Sequence, residues 1–191
     1  FTMYGTQFGY NGMKLVLGEI SASNPYSFSN VWTTSYQCIR RANTVFARID
    51  EAKDLTAQDR AELLSLNRFI RAYAYYKLWL AYGPVILVGD EEIPSNLDLG
   101  DYDRARATNE ETVEYICSEL EEAAKYLPET YPLMEFGRPT KGAAYGLIAR
   151  IRTYYASPLW NGGEAARRCF GNWYRKTDRV KYVTTDEYDE E

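Results

Sequence analysis

The 191 residues carry 46% hydrophobic and 26% charged side chains with a net charge of −5, a balance that excludes a disordered chain and a basic nucleic-acid binder. Histidine is absent, which removes Ser-His-Asp and Cys-His nucleophile pairs and every His-ligated metal site. No run approaches the roughly 20 apolar residues of a membrane-spanning helix. The three cysteines, Cys38, Cys117 and Cys169, are odd in number and far apart, so neither a zinc spacing nor a disulfide framework is visible. No catalytic residue, metal site or cofactor is assigned. Nine acids and nine bases precede residue 96, against eighteen acids and thirteen bases after it, and Asp186, Glu187, Asp189, Glu190 and Glu191 form an acidic end.

Near Phe1 there is no charged and apolar leader pattern, so a signal peptide is expected to be absent or already removed. Met13 to Ile20 reads as a short helix or extended segment. Asn24-Pro25 then combines an N-cap residue with proline at the first helical position. Apolar side chains recur at steps of three and four through Phe28, Trp32, Tyr36, Ile39, Ala42, Phe46 and Ile49, predicting a helix over 25–50. Thr56 with Asp59 caps a second helix over 57–82. Its apolar stripe reads Leu66, Phe69, Ile70, Tyr73, Tyr76 and Leu80, with Asn67, Arg68, Arg71 and Lys77 mostly off it. Arg68 and Arg71 are expected to hold structure through acidic or carbonyl partners.

Gly83-Pro84 stops that helix, and Val85 to Val88 runs on in extended form toward Pro94. The stretch 91–107 is polar and without period, long for a simple connection. Thr108 and Glu111 form a capping box for a third helix over 109–127. Val113, Ile116, Leu120, Ala123, Ala124 and Leu127 line one face, with Cys117 among them as a buried thiol. Thr140 N-caps a fourth helix over 141–156, with Ala143, Ala144, Leu147, Ile148 and Ile151 inward. A fifth is expected from Glu164 to about Lys176, and Val180 to Thr185 shows no clear period. The four long helices fall into antiparallel pairs, 25–50 with 57–82 and 109–127 with 141–156. One pair cannot bury its apolar face alone, so the expected fold is all-α, with pairs stacked as a solenoid-like bundle in one domain over 1–191.

Several blocks of this chain resemble a single family. On the second helix they are Arg68, Phe69, Arg71, Ala72, Tyr76, Leu78, Tyr82, Gly83 and Val85; on the first, Trp32, Tyr36, Ile39 and Asn43. Further on come Ala124 to Pro128 (AKYLP), then Gly137, Arg138, Thr140, Lys141, Ala143, Ala144, Leu147, Ala149 and Arg150. Together they resemble the SusD/RagB family, surface glycan-binding lipoproteins of Gram-negative outer membranes. The resemblance touches about 25–160 and implies tetratricopeptide-like helix pairs in the N-terminal part of a longer protein. It also implies non-catalytic capture of oligosaccharides and delivery to a TonB-dependent transporter (a SusC-like barrel), with the 89–107 loop as a contributor to that contact. An outer-membrane, cell-surface location through a lipid anchor outside this chain is implied as well.

Tyrosine stands out, with 18 residues, but ten lie on the proposed helices, where packing is the expected role. Outside them, four pairs set an aromatic ring beside an amide or carboxylate: Tyr10 with Asn11, Asn24 with Tyr26, Asp101 with Tyr102, and Trp160 with Asn161. A ring presents its negative face to the C–H face of a pyranose, while the polar neighbour binds hydroxyls. These candidates rest on chemistry alone. Glu91-Glu92 and Glu121-Glu122 are adjacent pairs whose members point apart, so no glycosidase pair flanking one bond is identified. Two alternatives stay open: a protein-interaction scaffold and an all-α glycan-active enzyme.

Overall fold

A computed structural model describes residues 17–19, 29–94, 96 and 98–184. Its α-helices are α1 (Ser29–Arg48), α2 (Ala57–Tyr82), α3 (Asn109–Ala124), α4 (Lys141–Tyr155) and α5 (Glu164–Phe170). Among the described residues there is no strand, and a single antiparallel bridge joins Tyr174 to Lys181. The all-α expectation is met. The cap at Asn24-Pro25 and the first part of the Met13–Ile20 segment lie outside the described residues.

Side-chain caps explain where the helices begin. Thr56 Oγ1 accepts the Asp59 N–H at 3.1 Å, and Thr140 does the same for Ala143 at 3.2 Å. Thr108 and Glu111 complete a reciprocal box, at 3.1 and 2.7 Å. At the far end of α2, Gly83 adopts φ 67° and ψ −132°, a conformation open essentially to glycine alone. A Cβ there would also sit 3.2 Å from the Trp160 ring. The α3 helix ends at Ala124 and its last turn loosens through Leu127; α5 stops at Phe170, short of Lys176, because the chain turns back so that Arg175 N–H donates to Val180 O at 2.8 Å.

Each long helix packs on the next in sequence, α1 on α2, α2 on α3 and α3 on α4. Contacts between the helices show every neighbour to be antiparallel. Trp32 near the start of α1 meets Tyr82 at the end of α2, while Arg60 near the start of α2 pairs with Asp50 just beyond α1. Arg68 reaches Glu119 and Trp79 reaches Asn109 across α2 and α3, and Arg152 pairs with Glu114 across α3 and α4. The shared core contains Ile39, Tyr75, Leu78, Trp79, Ile116, Leu120 and Ile151. Cys117 is buried in it, and burial pushes its thiol up to about 11.

The buried face of α2 departs from the apolar stripe read in the sequence. Ile70, Tyr73 and Leu80 are 43, 46 and 45% exposed, whereas Arg71, Ala72, Tyr75, Leu78 and Trp79 are fully buried. Ala143 on α4 is likewise exposed. For α2 the reason is that polar groups on the inner face are matched by partners far along the chain. Arg71 donates to Glu119 Oε2 through Nε (2.9 Å) and Nη2 (2.5 Å), and to Asn43 Oδ1 (2.8 Å) and Gly89 O (3.0 Å) through Nη1. Asp90 lies 2.6 Å from the same Nη1, and the guanidinium sits 4.5 Å from the Phe46 ring centroid. Arg68 donates to the other Glu119 oxygen at 2.5 Å. The expected acidic or carbonyl partners are thus present: Glu119 for both arginines, and Gly89 O for Arg71.

The described residues of 84–108 form a strap from α2 to α3, which carries the extended Val85–Val88 run. Among the described residues no strand flanks this run; tyrosine hydroxyls take backbone groups instead. Tyr36 Oη accepts the Ile86 N–H and donates to Ile86 O, both at 2.9 Å, and Tyr75 Oη accepts the Val88 N–H at 3.0 Å. Ala107 N–H donates to Val85 O at 2.8 Å. Buried backbone polar groups need partners, and here α1 and α2 supply them.

Two stability measurements test this arrangement. In denaturant titrations Trp79→Ala is expected to cost about 3–5 kcal/mol and Ile70→Ala less than about 1 kcal/mol; the reverse order would restore the apolar stripe as the inner face. Arg71→Ala, which strands Glu119 without its main partner, is expected to cost about 3–5 kcal/mol. A loss under about 1 kcal/mol would mean that the guanidinium is solvated.

Candidate functional site

Where the strap crosses α1 it leaves a cleft of about 360 Å³. One wall is α1, with Tyr36, Ile39, Arg40 and Asn43; the other is the strap, with Val88, Glu91, Ile93, Pro94 and Tyr102. Helical spacing puts 36, 39, 40 and 43 on one side of α1. The Arg71 network fixes the strap opposite, since Asn43 Nδ2 donates to Gly89 O (3.0 Å) and Glu91 O (2.7 Å).

Most polar atoms of the cleft are already engaged. The Tyr36 hydroxyl is spent on Ile86; burial pushes this phenol up from its ordinary value, partly opposed by the Ile86 hydrogen bond. Both Glu91 oxygens accept from Arg104, at 2.8 and 2.9 Å, and that fork holds the carboxyl below its usual range. Tyr102 ends the short 3₁₀ turn Leu99–Tyr102 and donates to Pro94 O at 2.9 Å, which fixes its side chain at the cleft edge, the residue being 37% exposed. Arg40 is exposed and makes no ion pair among the described residues.

The sequence candidates are distributed unevenly over this geometry. Tyr102 lines the cleft. Tyr10, Asn11, Asn24 and Tyr26, together with the Asp101 side chain, lie outside the described residues. Trp160 is 7% exposed and not an open platform: it stacks on Phe170 (centroids 5.2 Å, 12° between planes) and packs against Trp79 and Tyr154. The sequence pairing of Trp160 with Asn161 signalled a sugar site, but the ring lies inside an aromatic stack. Asn161 is half-buried in the turn after α4, its N–H on Ser157 O at 3.1 Å. Tyr36 and Asn43 were visible as motif residues without a site role, and Arg40 had no signal at all. Its importance depends on what stands across the cleft.

A second surface feature is apolar. Leu133, Met134 and Phe136, on the turn between α3 and α4, are 87, 95 and 89% exposed. Met134 and Phe136 border a shallow groove with Leu66, Ile70 and Pro139.

The chain was compared with known proteins. Residues 3–153 match the SusD-like family described as starch-binding and associating with the outer membrane. A SusD-like protein of Bacteroides ovatus is 29% identical over 157 residues, covering 81% of this chain and 27% of that protein. The crystal structure of a SusD-like protein from Bacteroides fragilis superimposes with a TM-score of 0.63 at 31% identity, over 72% of this chain and 26% of that one. Surface glycan-binding protein A from Bacteroides thetaiotaomicron, in complex with laminarihexaose, gives a TM-score of 0.54 at 25% identity, over 65% of this chain and 24% of that one. The chain thus spans about a quarter of the length of these relatives. With the family match covering most of its residues and its fold superimposing on that of a SusD-like protein, the chain belongs to the SusD-like family.

Proposed function

We propose that this chain is the N-terminal portion of a longer, lipid-anchored outer-membrane protein that binds oligosaccharides without cleaving them and passes them to a TonB-dependent transporter. The observation that carries this reading is the family match over residues 3–153, together with the likeness to a glycan-binding protein held with laminarihexaose. The cleft supports it, because Tyr102 offers an exposed ring on a strap locked to the helices. Two members of the adjacent acidic pairs, Glu91 and Glu122, are ill-suited to serve as the acid of a glycosidase. A glycosidase acid needs a raised pKa, whereas Arg104 holds Glu91, and Lys125 holds Glu122, below the ordinary value. The sequence has no histidine to serve in their place.

The transporter part of the reading draws on the apolar turn. Three large side chains almost fully open to water, with Glu135 and Arg138 paired beside them at 3.0 Å, form the kind of surface that protein contacts cover. The same turn favours the protein-interaction scaffold as the second reading.

Two experiments check these proposals on the full-length protein. Calorimetry against a panel of plant, host and microbial oligosaccharides is expected to show binding in the micromolar to millimolar range, because each hydrogen bond to a sugar adds only about 0.5–1.5 kcal/mol net. Binding to no member would leave the scaffold reading, and appearance of cleaved products the enzyme reading. Met134→Glu with Phe136→Glu is expected to abolish co-purification with the transporter from detergent-solubilised membranes while the unfolding temperature holds. A large drop in that temperature would assign the turn to contacts within the longer chain instead.

A further inference from the structure

We infer that the cleft between α1 and the strap selects an acidic sugar, with the Arg40 guanidinium on the carboxylate of a uronic acid and the Tyr102 ring against its C–H face. The inference rests on the carbohydrate-binding reading and specifies its ligand class. Its starting point is which cleft groups remain available. Tyr36 is committed to Ile86; Asn43 to Arg71, Gly89 and Glu91; Glu91 to Arg104; and the Tyr102 hydroxyl to Pro94. The rest of the lining is the aliphatic surface of Ile39, Val88, Ile93 and Pro94.

A neutral sugar entering such a space would give up water around several hydroxyls and find few partners, and each unmatched polar group costs free energy. Arg40 changes the balance for one class of ligand. It is a cation on the cleft wall with no carboxylate of its own among the described residues, while Glu91, the only acid among the described lining residues, is neutralised by Arg104. A guanidinium offers paired N–H donors in a planar fork that fits a carboxylate. A pyranose bearing a carboxylate combines that anion with an apolar C–H face, and the cleft presents the complement of both. At about 360 Å³ it falls in the range of small-ligand pockets, about 300–1,000 Å³.

The test uses the full-length protein and a panel of galacturonate, glucuronate and alginate oligomers beside neutral laminarihexaose and maltohexaose and sulfated neutral-sugar oligomers. Affinity is measured by calorimetry at low and high salt. At least one uronate oligomer is expected to bind, more weakly as salt rises. Arg40→Gln is expected to lower its affinity about tenfold or more. Arg40→Lys should recover only part of the loss, since a point charge lacks the fork, and Tyr102→Leu should weaken binding independently. Arg40 is exposed and makes no ion pair among the described residues, so circular dichroism and unfolding temperature should be unchanged in its variants. Binding of no uronate oligomer, Arg40→Gln binding as well as wild type, or preference for sulfate esters would each overturn the inference. If neutral oligomers bind while uronates do not, this inference fails and the carbohydrate-binding reading stands; if nothing binds, both fail.

Discussion

Taking a guanidinium out of water costs several kcal/mol even after the surroundings relax, and Arg71 is wholly buried. Desolvation favours loss of its proton, but Glu119 and Asp90 outweigh that and hold it more firmly protonated than usual. What offsets the cost is completeness of pairing. Nε and both terminal nitrogens find oxygens from three parts of the chain: Asn43 on α1, Glu119 on α3, and the Gly89-Asp90 turn of the strap. These partners lie 28, 48 and 18 residues away. A buried, fully paired charge tolerates few alternative arrangements, so the three elements are held in one register about α2. The interaction specifies geometry more than it adds net stability.

Such pairing also explains what was and was not legible in the sequence. Helix existence and most boundaries were legible because their causes are local. Thr56, Thr108 and Thr140 cap within three residues, and Gly83 ends α2 by its own backbone freedom. The inward face of α2 was not legible. Periodicity ranks side chains by hydrophobicity and so set Ile70, Tyr73 and Leu80 inward and Arg71 outward, yet polar Arg71 is buried and Ile70 is half open. Helices α3 and α4 carry no such buried cation, and there the apolar stripe predicted the buried residues well, apart from Ala143.

The candidate site divides the same way. Tyr102 was legible because an aromatic beside polar groups in an irregular stretch stands out without knowledge of its neighbours. Trp160 had the same local appearance, but Phe170, ten residues on, covers its ring, and only the returning α5 segment reveals that. Arg40 was invisible for the opposite reason. On α1 it looks like any exposed arginine, and its character comes from a strap more than forty residues later that brings aliphatic side chains and an already neutralised Glu91 opposite it.

The same strap links the core to the proposed binding face. Its carbonyls at Gly89 and Glu91 are gripped by Asn43 and Arg71, and its amides at Ile86 and Val88 by Tyr36 and Tyr75, so the cleft wall is fastened at four consecutive points to two helices. Binding to a wall built this way costs little ordering free energy, and a weak sugar ligand has little to spare for it. Family resemblance and binding geometry meet in these residues. Tyr36, Asn43 and Arg71, which carry the likeness in the sequence, hold the strap in place, leaving Arg40 and Tyr102 as the side chains that the proposed ligand would meet. On the proposed reading, Tyr36, Asn43 and Arg71 supply the frame, and discrimination among sugars would fall to the neighbouring side chains that the frame positions.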